Sequence, residues 1–178
     1  EVILKEYNSD AFTSVTVRPA TVCGYSPRQR LDVVVNILTN LAYNNRAITV
    51  FGGSQLRPNI HIDDMVDVYL TLLDAPKELI SNEVFNAGYE NHSVLELAEI
   101  VRDVVGPDVK LVSSPTDDNR SYHVSSKKIK DVLGFQAKRS IRNASEDLVN
   151  AFKKGWLPNS LSEEKYFNIK RMQSLNLD

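Results

Sequence analysis

The chain has 178 residues, 42% of them hydrophobic and 25% charged, an ordinary balance for a globular protein with a real core and a length for one compact domain or parts of two. A formal net charge of -2 and the lack of any run of like charge give no field that would gather nucleic acid or an anionic membrane, and no apolar run approaches a membrane span. One cysteine, Cys23, excludes an intrachain disulfide framework and suits a reducing, cytoplasmic compartment.

Glu1 to Tyr7 reads as the last turns of a helix with neither an initiator methionine nor a capping residue, so the chain is expected to be a fragment. After the breaker Asn8-Ser9-Asp10, the β-branched run Ser14 to Pro19 predicts a strand stopped by proline, continuing as Ala20-Thr21-Val22-Cys23-Gly24-Tyr25-Ser26-Pro27. Cys23 at its end reads as a buried structural thiol. Pro27 to Arg30 is a loop, and Leu31 to about Tyr43 is a helix with Val34, Ile37, Leu38 and Leu41 on one face. Ile48 to Phe51 is a strand closed by Gly52 and Gly53.

Arg57 then precedes a second extended run, and a helix starts at Asp64. Asp64 is expected to cap that helix by accepting from the N–H of Asp67 or its neighbour, with Asp63, Asp64 and Asp67 at the positive end of the dipole. Val66, Tyr69, Leu70 and Leu73 recur on one face, and Met65, Val68 and Leu72 fill a second, which predicts burial on more than one side.

Glu83 to Asn86 is a short strand running to Gly88. Ser93 and Glu96 form a capping-box pair ahead of a helix with Val94, Leu97, Ala98, Val101 and Val105 on its apolar face, ended by Gly106-Pro107. Val109 to Val112 is a further strand, followed by the polar stretch from Ser113 to Tyr122 and a short helix stopped at Gly134. The last amphipathic segment carries Ile141, Ala144, Leu148, Val149 and Phe152 and ends at Gly155-Trp156. Residues 157–178 read as an exposed or partner-dependent tail.

Spacing alone leaves two readings for most charged residues. Arg57, Arg28 and Arg30 read equally as solvated loop arginines, and Arg120 as a loop arginine pairing with Asp117 or Asp118. Val50 and Phe51 fit plain core. His61, between Ile60 and Ile62, fits a satisfied structural histidine. The histidines His61, His92 and His123 have no metal-ligand spacing, and no Gly-x-Ser-x-Gly elbow or phosphate loop is present.

The segment Arg57-Pro58-Asn59-Ile60-His61-Ile62-Asp63-Asp64, after Val50-Phe51-Gly52-Gly53, resembles the Arg-Asp-(Tyr/Phe)-(Ile/Val)-His-Val-x-Asp segment of the extended short-chain dehydrogenase/reductase family, the NAD-dependent nucleotide-sugar epimerases and dehydratases. Pro58 and Asn59 depart from the usual acid and aromatic. Three further segments follow in the family's order: Arg18-Pro19 through Ser26-Pro27, Phe85-Asn86-Ala87-Gly88, and Arg120-Ser121-Tyr122 through Gly134-Phe135.

The resemblance implies an α/β fold: the C-terminal part of a Rossmann-like doubly wound parallel sheet, interleaved over residues 1–156 with a small α/β substrate lobe, then the tail. The segments around Ser14 to Arg18 and Glu83 to Asn86 would belong to the sheet, and those around Ile48 to Phe51 and Val109 to Val112 to the lobe. It further implies that Pro19 and Ala20 border NAD or NADP, that Thr21 borders the substrate, and that Val50 and Phe51 approach the nucleoside base. Arg57 would reach the pyrophosphate of a nucleoside-diphosphate sugar, with Arg120 as second cation.

The implied activity is transient oxidation of the sugar by a homodimeric full-length enzyme. The chain contains neither Gly-x-x-Gly-x-x-Gly nor the catalytic Tyr-x-x-x-Lys. It is therefore expected to hold no catalytic residue, to be inactive alone, and to expose an apolar surface where the missing N-terminal half would pack. The alternative is a non-catalytic sugar-nucleotide-binding or regulatory module.

Overall fold

The structure, a computed structural model, describes residues 1–118 and 120–176; Asn119, within the polar stretch, and the last two residues of the tail lie outside them. In chain order the elements are α1 (Val2–Tyr7), β1 (Val15–Pro19), β2 (Thr21–Cys23), α2 (Val34–Asn45), β3 (Ala47–Phe51), β4 (Leu56–His61), α3 (Ile62–Asp74), α4 (Lys77–Ile80) and β5 (Glu83–Ala87). There follow β6 (Glu90–Ser93), α5 (Val94–Val105), β7 (Lys110–Ser114), α6 (Lys127–Leu133), α7 (Ile141–Lys153), a 3-10 turn over Glu164–Tyr166, and α8 (Asn168–Ser174).

The strands form three groups. β1 runs parallel to β5, from Val15 against Glu83 to Pro19 against Ala87. β3 runs parallel to β7, from Ala47 against Lys110 to Phe51 against Ser114. The segments expected in the main sheet and those expected in the lobe thus pair within their own groups. Between them β4 pairs with β2 in parallel and with β6 in antiparallel. Sequence reading missed β6 because Glu90-Asn91-His92-Ser93 has no apolar alternation; its strand conformation comes from the edge that β4 offers.

Two cores follow from this grouping. On one side α2, α5 and α7 close over β3 with Val35, Leu38, Ile48, Leu97, Val101 and Ile141. On the other, Ile60, Val68, Leu72, Phe85 and Ile129 join α3 and α6 to the β1–β5 pair. The capping box at α5 is formed as expected: Glu96 N–H donates to Ser93 Oγ at 3.2 Å, and Ser93 N–H to Glu96 Oε2 at 2.7 Å.

Four expectations are corrected. On α2 the buried apolar residues are Val35, Leu38 and Ala42, while Val34, Ile37 and Leu41 are only half-buried. The helix is turned because its polar residues are used inside: Asn36 accepts from Gly24 N–H at 3.0 Å and donates to Arg30 O at 2.8 Å, and Asn40 donates to Ser160 O at 2.9 Å.

The cap of α3 is His61, whose Nδ1 accepts from Asp63 N–H at 3.1 Å. Asp64, 1% exposed, instead accepts from Lys138 N–H at 3.0 Å, from Arg139 N–H at 2.8 Å and from the Arg139 guanidinium at 2.7 Å. A carboxylate taken out of water needs such donors. They come from the segment that leads into α7.

Burial of α3 on two sides is not found. Met65, Val68 and Leu72 are buried, but Val66, Tyr69, Leu70 and Leu73 are exposed. The two strands β1 and β5 with α6 cover only one of its faces, and the other remains apolar and open. Val2, Ile3 and Tyr7 of α1 are exposed as well. This agrees with the exposed apolar surface expected above.

The C-terminal tail is packed as far as Phe167, while α8 beyond it buries no residue and leaves Ile169, Met172 and Leu175 exposed, as expected. Leu157 and Tyr166 are buried with Leu31, Leu148 and Phe152, Leu31 N–H donates to Tyr166 O at 2.8 Å, and Asn168 N–H donates to Asp32 Oδ2 at 2.9 Å. Its few apolar side chains suffice because they meet a face already assembled by α7 and the loop before α2.

Candidate functional site

β4 orders the site. Residues two apart on a strand share a face, so Arg57, Asn59 and His61 stand on one side. Beside them in register are Thr21 and Cys23 on β2, and His92 and Glu90 on β6. The end of this face near His61 is closed by α7: Ile141 N–H donates to Glu90 Oε2 at 2.5 Å, and His61 Nε2 lies 3.1 Å from Asp147 Oδ2. Because Nδ1 of His61 is an acceptor, its proton sits on Nε2 and is donated to Asp147. His61 is held at both nitrogens, as a structural histidine.

Cys23 is equally inert. Burial, with the Glu90 and Asp64 charges adding to it, pushes its thiol up to about 12. No thiolate nucleophile is available there at neutral pH.

The other end of β4 is different. The Arg57 side chain is 16% exposed, and its guanidinium donates to Leu56 O at 3.1 Å, to Asp118 Oδ2 at 3.2 Å and to the carbonyl of Arg120. Arg120 reaches the same carboxylate from outside: Nε donates to Oδ1 at 2.7 Å, Nη2 to Oδ2 at 2.8 Å, and its backbone N–H to Oδ1 at 3.2 Å. Two guanidinium groups converge on one anion. The hydrogen bonds from Arg120, side chain first and then backbone, together with the nearby Arg57 charge, hold the Asp118 carboxyl well below the usual carboxylate range. Asp118 in turn raises Arg120.

Two more bonds stitch this loop to the β3–β4 turn, from Gln55 Nε2 to Asp118 O at 3.1 Å and from Leu56 N–H to Ser121 Oγ at 3.0 Å. The turn itself requires glycine at Gly52: φ is +74°, and a Cβ there would come within 2.5 Å of Gln55 and Thr116. The Arg120 side chain is 83% exposed, so its pair with Asp118 is of the solvent-screened kind that exchanges at small cost.

The remaining candidates fall around this centre unequally. Phe51, the last residue of β3, leaves its ring 57% exposed beside the glycine turn, whereas Val50 is 1% exposed and belongs to the core. Only the backbone of Val50 can meet a ligand. Thr21 is half-buried, in register with Asn59 and on the face of Arg57. Pro19 is exposed at the end of the β1–β5 pair, while Ala20 is buried against Gly88, where an added Cβ would lie 3.2 Å from its own Cβ.

The structure therefore brings Arg57, Arg120 and the Phe51 turn together and places Thr21 on the adjoining face. Pro19 and Ala20 stand apart, at the end of the other strand pair. Sequence reading named Asp118 only as a partner for Arg120 and missed its second cation, because Arg57 lies 61 positions away. Asn59 was noted only as a departure from the resembled motif. It is fully buried, donates to Arg57 O at 2.8 Å, and has an Oδ1 with no partner among the described residues. Those residues also hold no group of three or more side chains arranged to bind a metal.

Parallel strand pairs under helices, with a small α/β lobe carrying a two-arginine anion seat, define a mixed α/β protein of the Rossmann-related kind. Comparison with known proteins narrows that class. Residues 1–88 match the family model described as the NAD dependent epimerase/dehydratase family. The chain is 33% identical over 124 residues to UDP-glucuronic acid decarboxylase 6 of Arabidopsis thaliana, covering 66% of this chain and 35% of that protein. It is 34% identical over 128 residues to the probable GDP-L-fucose synthase 1 of Oryza sativa subsp. japonica, covering 70% and 37%.

Among solved structures, the UDP-glucose 4-epimerase of Thermotoga maritima, determined with UDP-glucose, superposes with a TM-score of 0.69 at 26% identity over 82% of this chain and 48% of that one. The chain belongs to the NAD-dependent epimerase/dehydratase family, within the extended short-chain dehydrogenases/reductases. It spans about a third of the length of these curated relatives and about half of that solved structure.

Proposed function

We propose that this chain is the sugar-nucleotide-binding portion of an enzyme that transiently oxidises the sugar of a nucleoside-diphosphate sugar with NAD. The observation that carries this reading is the convergence of Arg57 and Arg120 on one carboxylate beside the exposed ring of Phe51. A seat already shaped for a bidentate anion suits a diphosphate, which needs more than one cation away from bulk water. In this reading the diphosphate takes the position of the Asp118 carboxylate, Phe51 lies against the base, and Thr21 faces the sugar side.

The residues this chain can offer to NAD are few: the exposed ring of Pro19 and the backbone at Ala20, at the end of the β1–β5 pair. NAD, when bound, supplies the hydride acceptor. The part of the enzyme that cradles it, with the glycine turn and Tyr-x-x-x-Lys, is proposed to lie in a longer protein, in keeping with the share of its relatives that the chain spans. The open apolar faces of α1 and α3 would pack there.

A panel of nucleoside-diphosphate sugars, titrated calorimetrically into that longer protein, tests the reading. At least one is expected to bind saturably, and Arg57→Ala is expected to weaken it. Binding insensitive to Arg57, or weakened for NAD just as much, would leave only a structural role for this stretch.

A further inference from the structure

A second cleft opens at the end of β2 remote from Arg57. Thr21 pairs with Asn59 and Cys23 with His61, so continuing from Cys23 to Tyr25 leads away from Arg57. Arg57 stands four positions before His61 on β4, about 13 Å at roughly 3.3 Å per residue. The cleft, of about 260 Å³, lies between the loop from Tyr25 to Gln29 and the C-terminal segment from Trp156 to Arg171. None of its lining residues contributes to the seat on Asp118.

Its wall combines three features. The first is aromatic: the Tyr25 and Trp156 rings lie 5.3 Å apart, tilted by 39°, and Trp156 is half exposed while Leu157 and Tyr166 are buried beneath. The second is positive charge without a carboxylate partner among the described residues. Within them Arg28 has only neutral acceptors, the carbonyls of Gln29 and Lys165 at 3.5 Å each and Asn168 Oδ1 at 3.2 Å, which is long for bonds from a guanidinium.

Lys165 rests over the Tyr166 ring at 5.0 Å and, among the described residues, has no carboxylate partner. Arg171 is already paired with Glu164. The third feature is a donor at the cleft surface. Tyr166 is 4% exposed and lines the cleft, and its hydroxyl, which no protein group among the described residues takes up, keeps contact with solvent. Two cations without a carboxylate partner among the described residues, a solvent-facing hydroxyl and a pair of tilted aromatic rings therefore meet in one place.

We propose that this cleft binds a small anion carrying a flat ring, of the aryl phosphomonoester class. The phosphate lies between Arg28, Lys165 and the Tyr166 hydroxyl, and the ring lies against Trp156 and Tyr25. Two cations match the charge of a phosphomonoester at neutral pH, and aromatic faces take a ring by offset stacking. The volume falls below the roughly 300–1,000 Å³ of pockets for larger ligands, which suits one ring and one anionic group. The proposal stands independently of the sugar-nucleotide reading.

Trp156 is the sole tryptophan of the chain, so intrinsic fluorescence of the full chain reads this cleft directly. Titration with phenyl phosphate is expected to give a saturable change, with phenol and inorganic phosphate each weaker by about tenfold or more. Arg28→Ala is expected to weaken phenyl phosphate by about tenfold, the scale of one charge-assisted hydrogen bond. Arg28 also ties down Asn168, so Tyr166→Phe, which keeps the buried ring, serves as the second variant and should weaken binding by roughly threefold or more. Arg57→Ala should leave this affinity unchanged. The proposal is overturned if phenyl phosphate gives no saturable change, if phenol binds as well, if both cleft variants stay within about twofold of the parent, or if Arg57→Ala causes the loss instead.

Discussion

The two ends of β4 carry charge in opposite ways. At its C-terminal end Asp64 is buried and receives two backbone N–H groups and a guanidinium from one fixed segment, while His61 has a partner at each nitrogen. At its N-terminal end Arg57 spends its donors on a loop whose own arginine is almost wholly exposed. The same eight-residue stretch thus builds a closed joint and a solvent-screened ion cluster, the latter proposed above as a ligand seat. Charge that is buried and fully satisfied serves the fold, whereas charge held by a screened partner is free to change it for a ligand.

The sharpest way to break the contrast is at the joint. Asp64→Ala strands the Lys138 and Arg139 N–H groups and is expected to cost about 3 kcal/mol of stability, read as a lower urea midpoint. If the variant unfolds with the parent, Asp64 is no more than another surface acid.

At the seat the effect should appear in binding and leave stability nearly untouched. Arg57→Ala in the longer protein is expected to weaken sugar-nucleotide affinity by roughly ten- to a hundredfold. Arg57→Lys should recover only part of this, because an ammonium keeps the charge and loses the planar fork. Equal recovery by lysine would mean that the seat reads charge alone.

Asp118→Asn removes the internal competitor and should raise that affinity by roughly two- to fivefold, the scale of an exposed ion pair, with the gain shrinking in high salt. The Asp118 carboxyl is depressed in the folded chain, so its contribution is present above the unfolded carboxylate value of about 3.9 and is lost only as pH falls through its lower folded value. The loop should accordingly stay closed across neutral and mildly acidic pH. Line broadening of the Arg120 side chain at pH 5, beyond that at pH 7, would contradict this.

The smallest effect concerns Cys23. With its thiol pushed up to about 12 in the core, alkylation at pH 8 should follow unfolding and remain negligible in the native chain.

Much of this molecule was legible because its signals are short-range. The β-branched run ending at Pro19, the capping box of Ser93 and Glu96, the glycine stop at Gly134 and the inward face of α7 each depend on residues within a few positions of one another. Spacing alone left Arg57 as readable as a solvated loop arginine, and it was the resemblance of its segment to the epimerase/dehydratase motif that marked it for the seat proposed above. Tertiary structure decided what those signals cannot contain. Asp64, read as a cap by its position, serves a partner 75 residues away, and Asp118 joins two arginines of which only one is its neighbour. The apolar faces of α3 are alike in sequence, yet one is buried and one open, because burial depends on which strands stand opposite. The polar strand β6 and the packed tail have the same origin: each takes its order from a surface built by distant residues, and a local reading of hydrophobicity or propensity has no access to that surface.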